Sequence, residues 1–179
     1  MPRTPDPLLH ERIMNSARQL FAKGGAEGLS MRALAKLSRT TTTAVYRRFK
    51  NRDAILRALI DYYRKDFFSV LQPCRSIEEL FQAMLDQALK KPSEYQFFYS
   101  KLMAKAPTPR PSFEFVKKRC AEWLGGHPDD YTRLVLALFA QTHGTAMLFI
   151  SKAVSAENEA NLMSTFKTTI KMLIESASA

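Results

Sequence analysis

The chain is poor in the residues that build reactive sites. Two of its 179 residues are cysteine, Cys74 and Cys120, and three are histidine. Two cysteines are too few for a disulfide framework at this size, so both read as reduced thiols of a cytoplasmic protein. Neither His10 nor His127 has a second ligand at metal spacing, so no metal site is expected. There is no phosphate-cradling glycine loop and no nucleophile beside a base, which sets enzymes aside and calls for no cofactor. Long apolar runs are missing too. The most apolar segment, residues 134–150, is broken by Gln141, Thr142 and His143 and is shorter than a membrane span. It reads as a buried or interfacial helix, with no membrane partner. Residues 1–7 are polar and proline-rich without an apolar core, so no secretion signal is expected. Strand-like alternation, repeats and low-complexity tracts are lacking as well, apart from the four threonines Thr40–Thr43.

Acidic residues are also scarce, 17 against 27 Lys and Arg, and the net charge is +10. The deficit is local. Residues 1–57 hold twelve Lys or Arg and four Asp or Glu, a balance of +8. Residues 58–179 hold fifteen and thirteen, a balance of +2. A generally basic protein would spread its charge evenly. A concentrated excess is the footprint of a polyanion binder. With 46% hydrophobic residues the chain is globular, large enough for a small domain beside a larger one.

What is present is helix. Leu9, Ile13, Ala17, Leu20 and Phe21 recur at three- and four-residue steps, and Gly24-Gly25 stops that helix. Ser30 can cap a second helix with Met31, Leu34, Ala35 and Leu37 on one face. Ser38-Arg39-Thr40 breaks the face. Thr41 can cap a third short helix with Ala44, Val45 and Phe49 turned inward. Two short helices joined by a tight turn, the second polar at its start and basic at its end, suit the major groove. Asn51 can cap a long helix running to about Leu71, where Pro73 stops it. Ser76 can cap the next, through Leu89. Pro92 suits an early position of another. A proline-rich loop follows at residues 106–112, then a helix over residues 113–124 closed by Gly125-Gly126. A long helix is expected from Pro128 to about Val154, and a last one over residues 156–176.

Arg12-Ile13, Ala17, Leu20-Phe21, Gly24, Ser30-Met31-Arg32, Leu34-Ala35, Val45-Tyr46, Phe49-Lys50-Asn51-Arg52 and Leu56 keep a distinctive spacing. In these positions the chain resembles the TetR family of bacterial transcriptional regulators. The resemblance covers residues 11–60 and is architectural beyond. It implies an all-α fold: a three-helix helix-turn-helix DNA-binding domain at 1–52 and a larger helical ligand-binding and dimerisation domain at 53–179. The family's turn usually reads Ala-Gly-Val-Ser, whereas here it is Ser38-Arg39-Thr40-Thr41. Arginine at the glycine position costs about 1 kcal/mol if the backbone keeps a positive φ.

Family roles carry over by position. Arg32 reaches a base or phosphate from the second helix. Thr41 caps the recognition helix or donates to a phosphate. Thr42 and Thr43 face the bases, and the Tyr46 hydroxyl meets the DNA backbone. Arg47 and Arg48 contact DNA, while Lys50 and Arg52 clamp phosphate. In the second domain the aromatic and Met residues Phe81, Met84, Tyr95, Phe98, Tyr99, Met103, Trp123, His143 and Met147 are candidate contacts for a small apolar or amphipathic effector, although such stripes are more often core. Leu134, Leu138, Met147, Leu148, Ile150, Leu162, Phe166, Ile170 and Leu173 offer more apolar surface than two helices of one domain need. The resemblance makes them a homodimer interface. The reading is a cytoplasmic, ligand-responsive repressor that binds double-stranded DNA as a homodimer. The alternative is a helical ligand-binding or interaction protein that keeps the helix-turn-helix as scaffold.

Overall fold

The computed structural model describes residues 6–105 and 111–178, without the side chains of 101–105 and 178. Among the described residues there are nine α-helices, one 3-10 turn and no strand. In order, α1 is Leu9–Gly24, α2 Met31–Leu37, α3 Thr42–Arg48, α4 Arg52–Leu71 and α5 Ile77–Lys90. They are followed by α6 Pro92–Lys105, α7 Pro111–Leu124, the 3-10 turn Pro128–Tyr131, α8 Thr132–Ile150 and α9 Ala156–Ser178. Most of the expected proline-rich loop at 106–112 lies outside the described residues.

The chain folds as two compact units. The first comprises the described residues up to Lys65 together with Ser93–Ser100; the second comprises Asp66–Pro92 and the described residues from Lys101 on. In the first unit Ile13, Ala17 and Phe21 of α1 are buried with Leu29, Leu34, Val45, Phe49, Ile55, Leu59, Tyr63 and Phe97. Phe21 is the centre of this core. Its ring lies 4.7 Å from that of Phe97 and 6.0 Å from that of Tyr63. Gly25 ends α1 with φ +57° while its N–H donates to the Phe21 carbonyl. Arg18 places its guanidinium 4.0 Å above the Tyr62 ring.

In the second unit α8 packs on α5 and α9. Leu80, Phe81, Leu85, Leu138 and Phe166 are fully buried there. The Phe139 ring meets Phe81 edge-on at 5.5 Å and Phe113 in a stack at 6.1 Å. Arg119 of α7 fastens the end of α4: its Nη2 donates to the carbonyls of Gln72 and Cys74 at 3.3 and 2.8 Å. Its guanidinium lies 4.6 Å over the Trp123 ring. Burial raises the pKa of the Cys120 thiol to about 11 and pushes that of Cys74 upward, which leaves both thiols protonated at neutral pH.

Two helix ends differ from the sequence reading. The segment from Pro128 opens as a 3-10 turn, because the Asp130 N–H donates three residues back to His127. The helix then stops at Ile150, four residues short of Val154. Lys152 takes φ +55°, its N–H donates to Phe149, and the Ala153 N–H donates to Leu148. This paired closure is a Schellman stop, here without the usual glycine. Pro128–Ile150 spans 23 residues and holds an 18-residue window of mean hydropathy 1.3, long and apolar enough to cross a membrane, a criterion that core helices of water-soluble proteins also meet.

One ion cluster sets a pH dependence. Lys117 is buried, and its Nζ donates to Asp129 at 2.7 Å and pairs with Glu114 at 3.1 Å. The bond to Asp129, then that to Glu114, raises the lysine pKa, and the lysine in turn lowers that of Asp129. The aspartate's contribution is present above its ordinary pKa of 3.8 and fades as pH falls through the lower folded value. The lysine's contribution is present below 10.5 and fades as pH rises through the higher folded value. Asp129→Asn should therefore destabilise the protein at pH 7, and the gap to the wild type should close below pH 3.8. Urea melts at pH 3 to 8 measure this, and a gap that stays constant down to pH 3 refutes it.

Candidate nucleic-acid interface

The helix-turn-helix is built by local chemistry. The Ser30 hydroxyl accepts from the Ala33 N–H at 3.1 Å and starts α2. The Thr41 hydroxyl accepts from the Ala44 N–H at 3.1 Å and starts α3. Between them α2 closes as α8 does. The Arg39 N–H donates to Lys36 at 3.3 Å, the Thr40 N–H to Ala35 at 2.9 Å, and Arg39 takes φ +52°. The arginine therefore adopts the left-handed conformation that the family's glycine would supply. The buried Ser38 hydroxyl donates to the Leu34 carbonyl at 2.5 Å, which pins the first half of the turn. Arg39→Gly should raise the unfolding free energy by about 0.5–1 kcal/mol, since the strain relieved exceeds glycine's greater chain entropy. A urea midpoint that is unchanged or lower would contradict the strain.

Around α3 the sides are separated. Val45 is fully buried, Phe49 is 6% exposed and Ala44 is half-buried. At 100° per residue Thr43 and Arg47 point away from Val45, with Tyr46 beside them. Thr41, Thr42, Thr43, Tyr46, Arg47 and Arg48 are all exposed, and so are Arg32 on α2 and Lys50 after α3. The turn exposes Arg39 as well. Helix α3 thus presents hydroxyls at its start and guanidinium groups at its end, on a scaffold fixed by its opposite side. That combination fits base edges between two flanking phosphate rows.

Arg52 is more committed than its sequence position suggests. Its Nε donates to the Leu29 carbonyl at 3.0 Å, and its Nη2 donates to the Ala26 carbonyl. These bonds fasten the linker between α1 and α2 and leave Nη1 for a phosphate. Asn51 caps α4, its side chain accepting from the Ala54 N–H at 2.9 Å.

Residues 13–59 match the family described as bacterial regulatory proteins, tetR family. This stretch is a TetR-family domain. It contains the helix-turn-helix and supports a DNA-binding transcription regulator. Comparison with curated proteins finds no match. Solved structures share the fold along nearly the whole chain. A protein with unknown function from Rhodococcus sp. RHA1 is 19% identical, with 100% of each chain covered and a TM-score of 0.75. A TetR variant from Acinetobacter baumannii AYE in complex with minocycline is 16% identical, covering 92% of this chain and 93% of its own, at a TM-score of 0.63. A TetR-like transcriptional regulator from Rhodococcus sp. RHA1 is 18% identical, covering 92% and 96%, at 0.60.

The effector candidates are divided between the two units. Tyr95, Phe98 and Tyr99 belong to the first. There the Tyr95 and Tyr99 rings lie 4.5 Å apart, and Phe98 meets Tyr99 at 6.3 Å. Burial raises the pKa of the Tyr95 phenol. Phe81, Met84, Trp123, His143 and Met147 belong to the second. Of these, Phe81 and Met84 are buried, while Trp123, His143 and Met147 are half-buried. Burial lowers the His143 pKa and keeps the ring neutral at pH 7. The Met103 side chain lies outside the described residues. A separate open groove of 470 Å³ runs between α5 and α9 over Phe166 and Ile170, flanked by Glu78, Glu79, Asp86, Lys167 and Lys171. None of the nine candidates lines it. Helical periodicity cannot reveal such a groove, since its walls come from helices some ninety residues apart.

Two further residues lie at the C-terminal end of α3, although their sequence positions gave them no such place. Asp6 and Arg12 form an ion pair beside Arg48. Asp6 carried a readable signal, an aspartate just ahead of a helix start.

Proposed function

We propose that this chain is a ligand-responsive TetR-family repressor that acts as a homodimer on a pseudo-palindromic operator in the cytoplasm. The observation that carries the reading is α3 itself, with Val45 and Phe49 buried on one side and Thr42, Thr43, Tyr46 and Arg47 exposed on the other. In this reading Thr42 and Thr43 read bases. Thr41, Tyr46, Lys50 and the free Nη1 of Arg52 hold phosphates, and Arg32, Arg47 and Arg48 flank them. Residues 1–52 form the DNA-binding domain, and residues 53–179 serve effector binding and dimerisation.

The dimer rests on α8 and α9, on fewer residues than periodicity suggested. Leu134, Leu138, Phe166 and Ile170 are buried within the single chain and offer no face to a partner. The surface left over includes Leu136 at 57%, Leu148 at 40% and Met172 at 62% exposure. Leu136, Ala140, Gly144 and Leu148, spaced four apart, form an exposed ridge. A Cβ on Gly144 would meet nothing within 4 Å, so the chain's own packing does not require a glycine there. A close neighbour along this ridge would. A twofold axis then sets two α3 helices about 34–36 Å apart, one turn of B-DNA.

The effector is a small apolar or amphipathic molecule, and its contacts in the second unit are Phe81, Met84, Trp123, His143 and Met147. The minocycline complex of the Acinetobacter protein supports a small molecule as the class. The effector acts only through unequal affinity for two conformers, one of which spaces the α3 helices for successive grooves. Titration of labelled duplex from the region upstream of the coding sequence tests the reading. Two protomers per site are expected, binding about 10³-fold or more tighter than to random duplex. One protomer per site, or no preference over random duplex, overturns it.

A further inference from the structure

The first turn of α1 lies against the end of α3. The His10 ring stacks on Phe49 with centroids 5.1 Å apart and 25° between planes. Ahead of that turn, Asp6 makes four contacts, one of them from the Leu9 N–H to its carbonyl at 3.3 Å. Its Oδ1 accepts from the Leu8 N–H at 2.9 Å, its Oδ2 pairs with Arg12 Nη1 at 2.5 Å, and its carbonyl accepts from Arg48 Nη2 at 3.4 Å. Arg12 and Arg48 are both exposed. A carboxylate therefore sits among the cations at the edge of the face that α3 presents, within a segment whose balance is otherwise strongly positive.

We propose that Asp6 is a positioning residue of the DNA face, withholding one cation, Arg12, from the phosphate backbone and so lowering affinity for duplex of any sequence. The inference rests on the DNA-binding reading above. The physics is simple. An exposed ion pair is weak, so a phosphate can compete for Arg12. Leaving would strand the Asp6 carboxylate beside the phosphates, so the pair is kept and the face releases one counterion fewer than its arginines imply. Sequence-independent binding suffers from this directly. Specific binding keeps its base contacts, so the ratio of operator to random affinity rises. The carbonyl contact meanwhile directs Arg48 toward the α1 side of the face.

The test is the slope of log affinity against log salt on random duplex, with the full chain. Asp6→Asn keeps an oxygen for the Leu8 N–H, so the helix start survives, while the charge is removed. For each protomer on the duplex it should steepen the slope by about 0.9 and tighten binding up to about tenfold at 0.1 M salt. In an Arg12→Gln background the same change should add nothing. Glu157→Gln, which removes an exposed carboxylate from α9, should leave the slope alone. An unchanged slope in Asp6→Asn overturns the inference. So does an equal change in Glu157→Gln, or an increment that persists without Arg12. Wild-type protein with no salt-dependent DNA binding overturns the underlying reading as well, and the two failures are thereby distinguished.

Discussion

Affinity for the operator should fall about 10³- to 10⁵-fold between 50 and 200 mM salt, if roughly six to ten phosphates are contacted by the two protomers. The candidates for these contacts differ in kind, and substitutions should separate them. Arg48→Ala should weaken binding to every sequence and flatten the salt slope by about 0.9 for each phosphate it leaves unneutralised. Tyr46→Phe removes a neutral donor from a residue 55% exposed. It should weaken binding by about 1 kcal/mol for each hydrogen bond removed and leave the slope alone. Thr42→Ala and Thr43→Ala should change which bases are preferred, at about 1–3 kcal/mol for a well-made base contact, again without touching the slope. Fluorescence anisotropy at four salt concentrations reads all of these. Salt-independent binding would sink the assignment of this face to DNA, and a flattened slope in the threonine variants would exchange the roles.

The largest stability effect is expected at Phe21. Its side chain is 1% exposed and touches aromatic rings from α4 and α6. Phe21→Ala should destabilise the protein by about 3–5 kcal/mol, from lost burial and the cavity left behind. Against a total stability of about 5–15 kcal/mol for a domain, that is a large fraction. DNA binding should disappear with it at 37 °C, because Val45 and Phe49 hold α3 against the same core. Urea denaturation followed by circular dichroism measures the loss. A shift under 1 kcal/mol would show that the core repacks around the gap.

Much of this architecture was readable because its determinants are local. A cap needs one side chain and an N–H three residues on. Ser30, Thr41, Asn51 and Ser76 each provide that and each does so in the structure. Burial followed periodicity in the short helices where Val45 and Leu34 turn in and Thr43 turns out, but Leu37, expected on the inward face of α2, is 42% exposed. Helix ends without a marker were not readable. Lys152 stops α8 in a left-handed conformation that nothing in its side chain announces, and the apolar pattern runs past it to Val154. Arg39 shows the converse. Alignment with a familiar turn said that a positive φ was needed, and the backbone supplies it even from an arginine.

The sequence by itself determined the helical elements, the concentration of positive charge before residue 58 and the register of the helix-turn-helix. Each follows from spacing or from charges counted along the chain. Only the tertiary structure decided what distant segments do to one another. It placed Phe97 in the core of the first unit and turned Arg52 toward the carbonyls of Ala26 and Leu29. It buried Leu134, Leu138, Phe166 and Ile170 inside one chain, and it set the Asp6 carbonyl against Arg48, forty-two residues away. Contacts of this kind depend on how the chain closes on itself, and a side chain's neighbours along the sequence carry no record of that closure.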